Sequence, residues 1–248
     1  MRKRLLVLLA VMTMAAGCSS DSPNPSTAPS PNQRSTPARA EPNCPNQDVT
    51  TSSIGSVPAE SLAGDVDGDG ADDTVFLAVD PEGPEGCRAF VVADTGTGRL
   101  AEEVSDPDIS FDLGLPTLEG TMQIDGRPGD EIIVRIMTGA STLFVGLFTV
   151  LDGELERVKV AGDSEFGDLF PSGGSVGHLE GSDCTEDGIV VTVALPKERG
   201  YEVTRSFYTL DDARAKPGER DVSYVWPRNL DKFPELAGPP FTHCGAEE

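Results

Sequence analysis

The chain repeats itself, and that limits its fold more than any other feature. Val66-Asp67-Gly68-Asp69-Gly70-Ala71-Asp72-Asp73-Thr74-Val75 aligns with Ile124-Asp125-Gly126-Arg127-Pro128-Gly129-Asp130-Glu131-Ile132-Ile133, 58 positions on. A third copy follows 57 positions later. There Gly120-Thr121-Met122-Gln123 matches Gly177-His178-Leu179-Glu180, and Ile132-Ile133-Val134 matches Ile189-Val190-Val191. A repeat of this length is one supersecondary unit used several times, each copy burying its apolar face against the next. Helical periodicity is nearly absent. Short β-branched runs punctuated by Gly, Pro and Asp predict an all-β class.

Each copy reads as four strands. The first has them near 61–64, 74–79, 88–93 and 99–104, and the second near 117–124, 131–138, 142–151 and 154–160, with Asp152-Gly153 as a hairpin turn. The third has them near 175–181, 188–195, 201–210 and 221–226. The repeats thus run near 58–105, 117–160 and 174–226, inside a single domain spanning 44–248. Four-stranded units of this length look like propeller blades, and propellers close with at least four. Three copies leave open a partial propeller, a propeller completed by the termini or a partner, and a trefoil-like threefold β fold.

The first copy carries five carboxylates in the nine residues from Asp65 to Asp73. Alternate carboxylates can point inward around one hard cation, and Gly68 and Gly70 let the backbone turn tightly enough. The expected ligands are the side chains of Asp65, Asp67, Asp69 and Asp73 with the carbonyl of Ala71. An all-oxygen set suits Ca2+ better than zinc or copper. The EF-hand pattern fails, because the twelfth position counted from Asp65 is Phe76 rather than Glu, and a strand follows instead of a helix. From Leu62 to Leu77 the D-x-D-G-D-G-x-x-D loop running into a strand resembles the FG-GAP repeats of integrin-like propellers and the related VCBS repeats. That resemblance implies a calcium-stabilised β-propeller-type interaction module. In the second loop Arg127 replaces Asp69 and Gln123 replaces Asp65, so a guanidinium supplies the positive charge there. The third loop, Gly181 to Gly188, keeps too few carboxylates. One structural calcium site is therefore expected.

The ends of the chain predict export. Residues 1–17 form a signal peptide: Arg2, Lys3 and Arg4 precede an apolar run to Ala16, too short at 13 residues (Leu5 to Gly17) for the ~20 that span a bilayer. The run ends Ala15-Ala16-Gly17-Cys18, which resembles the lipobox of bacterial lipoproteins. The resemblance implies cleavage before Cys18 and acylation of its thiol, hence a protein anchored to the cell membrane and facing the extracellular or envelope side. Residues 18–43 then read as a disordered tether, with six Ser and six Pro between Ser19 and Asn43. Fully extended, it would reach roughly 75 Å.

Cys44, Cys87, Cys184 and Cys244 remain, and four cysteines allow three pairings. Cys44–Cys87 with Cys184–Cys244 is the favoured one, since it would pin both ends of the domain. No C-x-x-C occurs and the only histidines are His178 and His243, so a zinc cluster has few ligands. Residues 1–17 hold three of the 19 basic groups and none of the 42 acidic ones, so the remainder balances 16 against 42, a net −26. Such a surface repels nucleic acid and anionic headgroups. The expected partners are the membrane, through the lipid anchor, and an envelope protein or glycan.

Gly173-Gly174-Ser175-Val176-Gly177 matches the G-x-S-x-G nucleophile elbow, with Asp211 and His243 following in hydrolase order. An exported serine hydrolase using Ser175 is thus the alternative reading. The βα alternation of that fold is missing, and no helical pattern follows Ser175, so a non-catalytic module is favoured. Trp226, with Tyr224 and Phe233, forms a candidate aromatic face.

Overall fold

The computed structural model describes residues 61–80, 87–104, 114–162, 164–186 and 188–244. The segments expected to be a signal peptide and a tether, with Cys18, Cys44 and the first residues of the first repeat, lie outside them. The described residues are all-β. A four-stranded antiparallel sheet takes β1 (Ser61–Gly64), β2 (Asp73–Val79), β3 (Ala89–Thr95) and β4 (Gly98–Glu103) in chain order. The second sheet has ten strands: β5 (Thr117–Met122), β6 (Glu131–Thr138), β7 (Thr142–Leu151), β8 (Glu154–Arg157), β9 (Lys159–Val160), β10 (Phe170–Ser175), β11 (His178–Thr185), β12 (Gly188–Lys197), β13 (Gly200–Leu210) and β14 (Arg214–Val225). Its order is β5-β6-β7-β10-β11-β12-β13-β14-β9, with β8 beside β7, and neither sheet closes on itself. Two 3-10 turns, Pro227–Lys232 and Pro234–Leu236, follow.

Strand periodicity explains how the layers stack. Successive side chains point to opposite faces, so β6 sends Ile132, Val134 and Ile136 one way and Ile133 the other. The first set packs with Val75, Val91 and Ala93 of the four-stranded sheet and with Phe148 and Leu155. On the other side, Ile133, Val145 and Leu147 meet Phe170, Ile189, Val191 and Phe241. The second repeat is therefore sandwiched between the first and the third, which is why β6 is an apolar run rather than an alternation.

Three strand expectations need correction. The second and third repeats are not separate four-stranded units, because β10 joins them. The first half of β7 pairs with β10 and its second half with β8. β10 carries no strand pattern in the sequence, because Pro171, Gly173 and Gly174 are poor strand formers. Gly173 sits at φ 126°, and a Cβ there would lie 2.5 Å from the Ser141 carbonyl, so close backbone approach selects glycine. The segment 154–160 splits: β8 pairs antiparallel with β7, whereas β9 pairs parallel with the base of β14. Finally, β14 begins at Arg214 rather than near 221, running through Pro217 and Gly218; an edge strand tolerates a proline.

The Cys184–Cys244 bond is present, with Cα atoms 5.1 Å apart. It closes the C-terminal segment onto β11. Phe241 N–H donates to the Ser182 carbonyl (2.9 Å), and Glu235, buried, accepts from Thr192 Oγ1 (2.5 Å) and Arg205 Nε (3.1 Å). Cys87 is also disulfide-bonded.

Candidate functional site

The acidic loop lies between β1 and β2. Asp73, the first residue of β2, turns its buried carboxylate back under the loop. Its Oδ2 accepts from Val66 N–H (3.0 Å) and Asp67 N–H (3.3 Å). Asp67 Oδ1 accepts from Asp69 N–H (3.2 Å), Asp65 Oδ2 from Gly70 N–H (2.9 Å), and Asp69 Oδ1 from Ala71 N–H (2.8 Å). The carboxylates thus organise the turn before any ion is considered. Asp65, Asp67 and Asp73 each offer an oxygen, and these lie within 4.8 Å of one another. Asp65 Oδ1 is buried and has no hydrogen-bond partner. A buried, unpartnered carboxylate oxygen is costly. Asp69 sits at the rim, with Oδ2 turned toward Gly96 of the β3–β4 turn, and Ala71 is exposed beyond it.

Burial lifts the Asp73 carboxyl above the usual carboxylate range, and the Asp67 and Asp69 charges add to the rise, against the two backbone donors that lower it. Asp130 rises too, first through burial and then through the charges of Asp65 and Asp72. In the sequence Asp130 is only the aligned counterpart of Asp72. It lies beside the first loop, its N–H donating to the Asp65 carbonyl (2.7 Å). The two loops face each other so closely that a Cβ on Gly68, at φ 74°, would meet the Pro128 carbonyl carbon at 2.7 Å. The repeat offset shows which residues are equivalent, not that the equivalent loops touch.

The second loop copies the first. Glu131 Oε2 accepts from Ile124 N–H (2.7 Å), as Asp73 accepts from Val66, and Asp125 Oδ1 accepts from Arg127 N–H (2.8 Å), as Asp67 accepts from Asp69. Gly126 has φ 75°, matching Gly68. Within this copy Arg127 Nε bonds Asp125 Oδ2 (2.5 Å) and its Nη1 reaches Asp212 Oδ1 (2.9 Å). Gln123 Nε2 donates to the Arg127 carbonyl (2.5 Å). Burial, then the Asp125 charge, lifts Glu131 to about 7, while Arg127 pulls it down. The third loop has vanished into the β11–β12 hairpin.

G-x-S-x-G forms a strand–turn–strand hairpin here, not the strand-to-helix turn of a nucleophile elbow. Ser175 ends β10, lies opposite His178, and accepts from Gly177 N–H (3.2 Å). Asp211 is held by Lys216, and His243 by buried Asp183, so neither is joined to Ser175. Thr142 Oγ1 donates to Glu180 Oε2 (2.9 Å) and lies 3.3 Å from His178 Nε2, reaching over the bare Gly173 between them. Asp183, Cys184 and Cys244 cluster as well, but their sulfurs are bonded to each other and offer no thiolate. Phe233 lies 6.0 Å beneath the Arg205 guanidinium, whereas Tyr224 and Trp226 are exposed, edge to face with centroids 6.3 Å apart.

Comparison with protein-family models, with curated proteins and with solved structures finds no match to the chain.

Proposed function

We propose that this chain is a lipid-anchored, non-catalytic interaction module of the cell envelope, carrying one structural Ca2+ site. The single observation behind the site is the buried, unpartnered Asp65 Oδ1 beside the converging Asp67 and Asp73 carboxylates. The second loop supports it by contrast. Where the same backbone pattern recurs, Arg127 supplies a positive charge to the carboxylates; among the described residues no cationic side chain bonds the carboxylates of the first loop. Asp65, Asp67 and Asp73 would hold the ion, with Asp69 and the Ala71 carbonyl at its outer side, and the ion's charge would offset the mutual repulsion of the acids. Zinc is disfavoured by the all-oxygen set.

The repeats stacked face to face favour a partial propeller among the possible architectures, each unit packing on the next as blades do. The Ser/Pro-rich segment after Cys18 would stand this domain off the membrane to meet an envelope protein or glycan.

Calorimetric titration of Ca2+ into the full chain, beside Asp65→Asn/Asp67→Asn, tests the site. One binding event in the micromolar-to-millimolar range, lost in the variant, is the expected result. No heat, together with a melting temperature indifferent to chelator, would reduce the loop to a self-bonded acidic turn.

A further inference from the structure

A cavity of about 270 Å³ opens where β8, β9 and the base of β14 meet the β13–β14 turn. Its lining is unlike what the composition leads one to expect. In a chain with 42 acidic and 19 basic groups, four basic side chains gather around it: Arg157, Lys159, Arg214 and Lys216. Lys216 is held by Asp211, and Asp212 is held by Arg127 (2.9 Å). Arg157, Lys159 and Arg214 form no ion pair or side-chain hydrogen bond among the described residues. Glu156, the remaining acid of the lining, bonds none of them.

Two observations point to a missing negative group. Strand pairing forces two of these cations together. β9 runs parallel to β14 with Lys159 opposite Arg214, so both side chains leave the sheet on one face. Like charges opposite one another across strands repel, and no acid offsets this pair. Both residues are exposed, so water limits that cost. It does not limit the cost at Arg157, whose Nε is buried and has no hydrogen-bond partner. A guanidinium N–H taken out of water and left unpaired is unfavourable. This is the converse of Asp65 Oδ1: the group that would satisfy Arg157 is an acceptor carrying negative charge.

We infer that Arg157, Lys159 and Arg214 form an oxyanion site for a phosphoryl group, free or esterified. The charge balance supports an anion. The lining together with Arg127 sets five positive charges against three negative, and Glu102 of β4, which feels the charges of Lys159 and Arg157, still leaves one in excess. The geometry favours a tetrahedral anion. The three cations come from the end of β8, the start of β9 and the start of β14, so their donors reach the cavity from separate places. A planar carboxylate is satisfied by one guanidinium fork, whereas phosphoryl oxygens point in several directions and take donors from each. The net charge of −23 repels anions at long range, but salt screens it beyond roughly 8 Å, and the cavity itself is positive. The site depends neither on the cation loop nor on the anchor.

Inorganic phosphate titrated into the full chain, in mild detergent with chelator, tests the site by calorimetry and by phosphorus NMR line broadening. Saturable binding of one equivalent is the expected result. Lys159→Gln/Arg214→Gln should raise Kd about tenfold or more. It should not lower the melting temperature, since it removes a like-charge pair at exposed positions. Arg199→Gln/Lys232→Gln removes the same charge at exposed positions outside the cavity and should leave Kd unchanged. Soluble poly(glycerol phosphate) forms a second arm. Tighter binding per phosphate than inorganic phosphate assigns the site to a phosphodiester polymer, and equal or weaker binding assigns it to free phosphate. Glucuronate, a planar carboxylate, should bind more weakly; glucuronate binding as tightly as phosphate overturns the phosphoryl assignment. No saturable binding in either phosphate arm, or an equal loss in both variants, overturns the site. Chelator keeps calcium out of the first loop, so failure here leaves the cation site standing, and a chain that binds no calcium can still bind phosphate.

Discussion

Arg127 shows how one substitution changes what a loop requires. Its guanidinium lies against Asp125, whose side chain is almost fully buried, and close to buried Glu131. Truncation to Ala leaves those carboxylates without a counter-charge. Because Arg127 itself is partly exposed, the expected loss is about 2 kcal/mol, below the range for fully buried pairs, read by urea unfolding. Replacing Gln123 and Arg127 together by Asp restores the acidic pattern of the first loop, and the calcium stoichiometry should rise from one to two if the first site binds. Glu131 makes a pH prediction. Its carboxyl is raised from 4.5 to about 7 in the folded chain. Its contribution to stability is therefore full below pH 4.5 and is lost as pH rises through 7, a swing of roughly 3 kcal/mol. Melting temperatures measured from pH 5 to 8 should fall with rising pH, and Glu131→Gln, which keeps an acceptor for Ile124 N–H, should flatten that slope.

At the scale of elements, the C-terminal segment deserves the name of a strap. The 3-10 turns carry buried Glu235 onto β12 and β13, Ser172 Oγ donates to the Gly238 carbonyl (3.0 Å), and the segment ends in the disulfide. Gly181 is the contact point, since a Cβ there would lie 1.9 Å from the Glu235 carbonyl. Backbone cannot yield to that clash cheaply, so Gly181→Ala should lift the strap and lower the melting temperature by several degrees while the first sheet stays intact. Cys184→Ser/Cys244→Ser removes a link spanning 60 residues. The chain-entropy relation puts the loss near 4 kcal/mol, to be measured by denaturant titration against the parent.

For the whole molecule, the two facing loops tie the first sheet to the second through the Asp130 N–H to Asp65 carbonyl bond and the Gly68–Pro128 contact. A cation in the first loop would stiffen that joint. With an affinity near 10⁻⁴ M and about 1 mM external calcium, mass action adds roughly 1.4 kcal/mol. In a domain of this size that is a rise of about 3–6 °C in melting temperature on adding calcium, and Asp67→Asn should abolish it. The gain depends on pH, because Asp73 holds its proton more tightly than an ordinary carboxylate and must release it to bind an ion.

The all-β class, the strands of the first repeat, the Cys184–Cys244 pairing and the candidate ligands Asp65, Asp67 and Asp73 were legible in the sequence. The strands and the acidic loop follow from short-range rules, namely period-two burial, carboxylate spacing and glycine in tight turns, whereas the cysteine pairing was favoured because it would pin the ends of the domain. The second loop was legible for the same reason, since Arg127 replaces an acid at an aligned position. What adjacent segments do to each other was not. β10 is made of residues with low strand propensity and exists because β7 and β11 offer hydrogen bonds on both sides. The length of β14 is set by β13 beside it, and the parallel β9–β14 contact joins segments more than fifty residues apart. Asp130 reached the candidate site because two repeats stack face to face. Propensity and spacing act within a few residues of one another, whereas these contacts depend on backbone approach between distant strands, so only the tertiary structure could decide them.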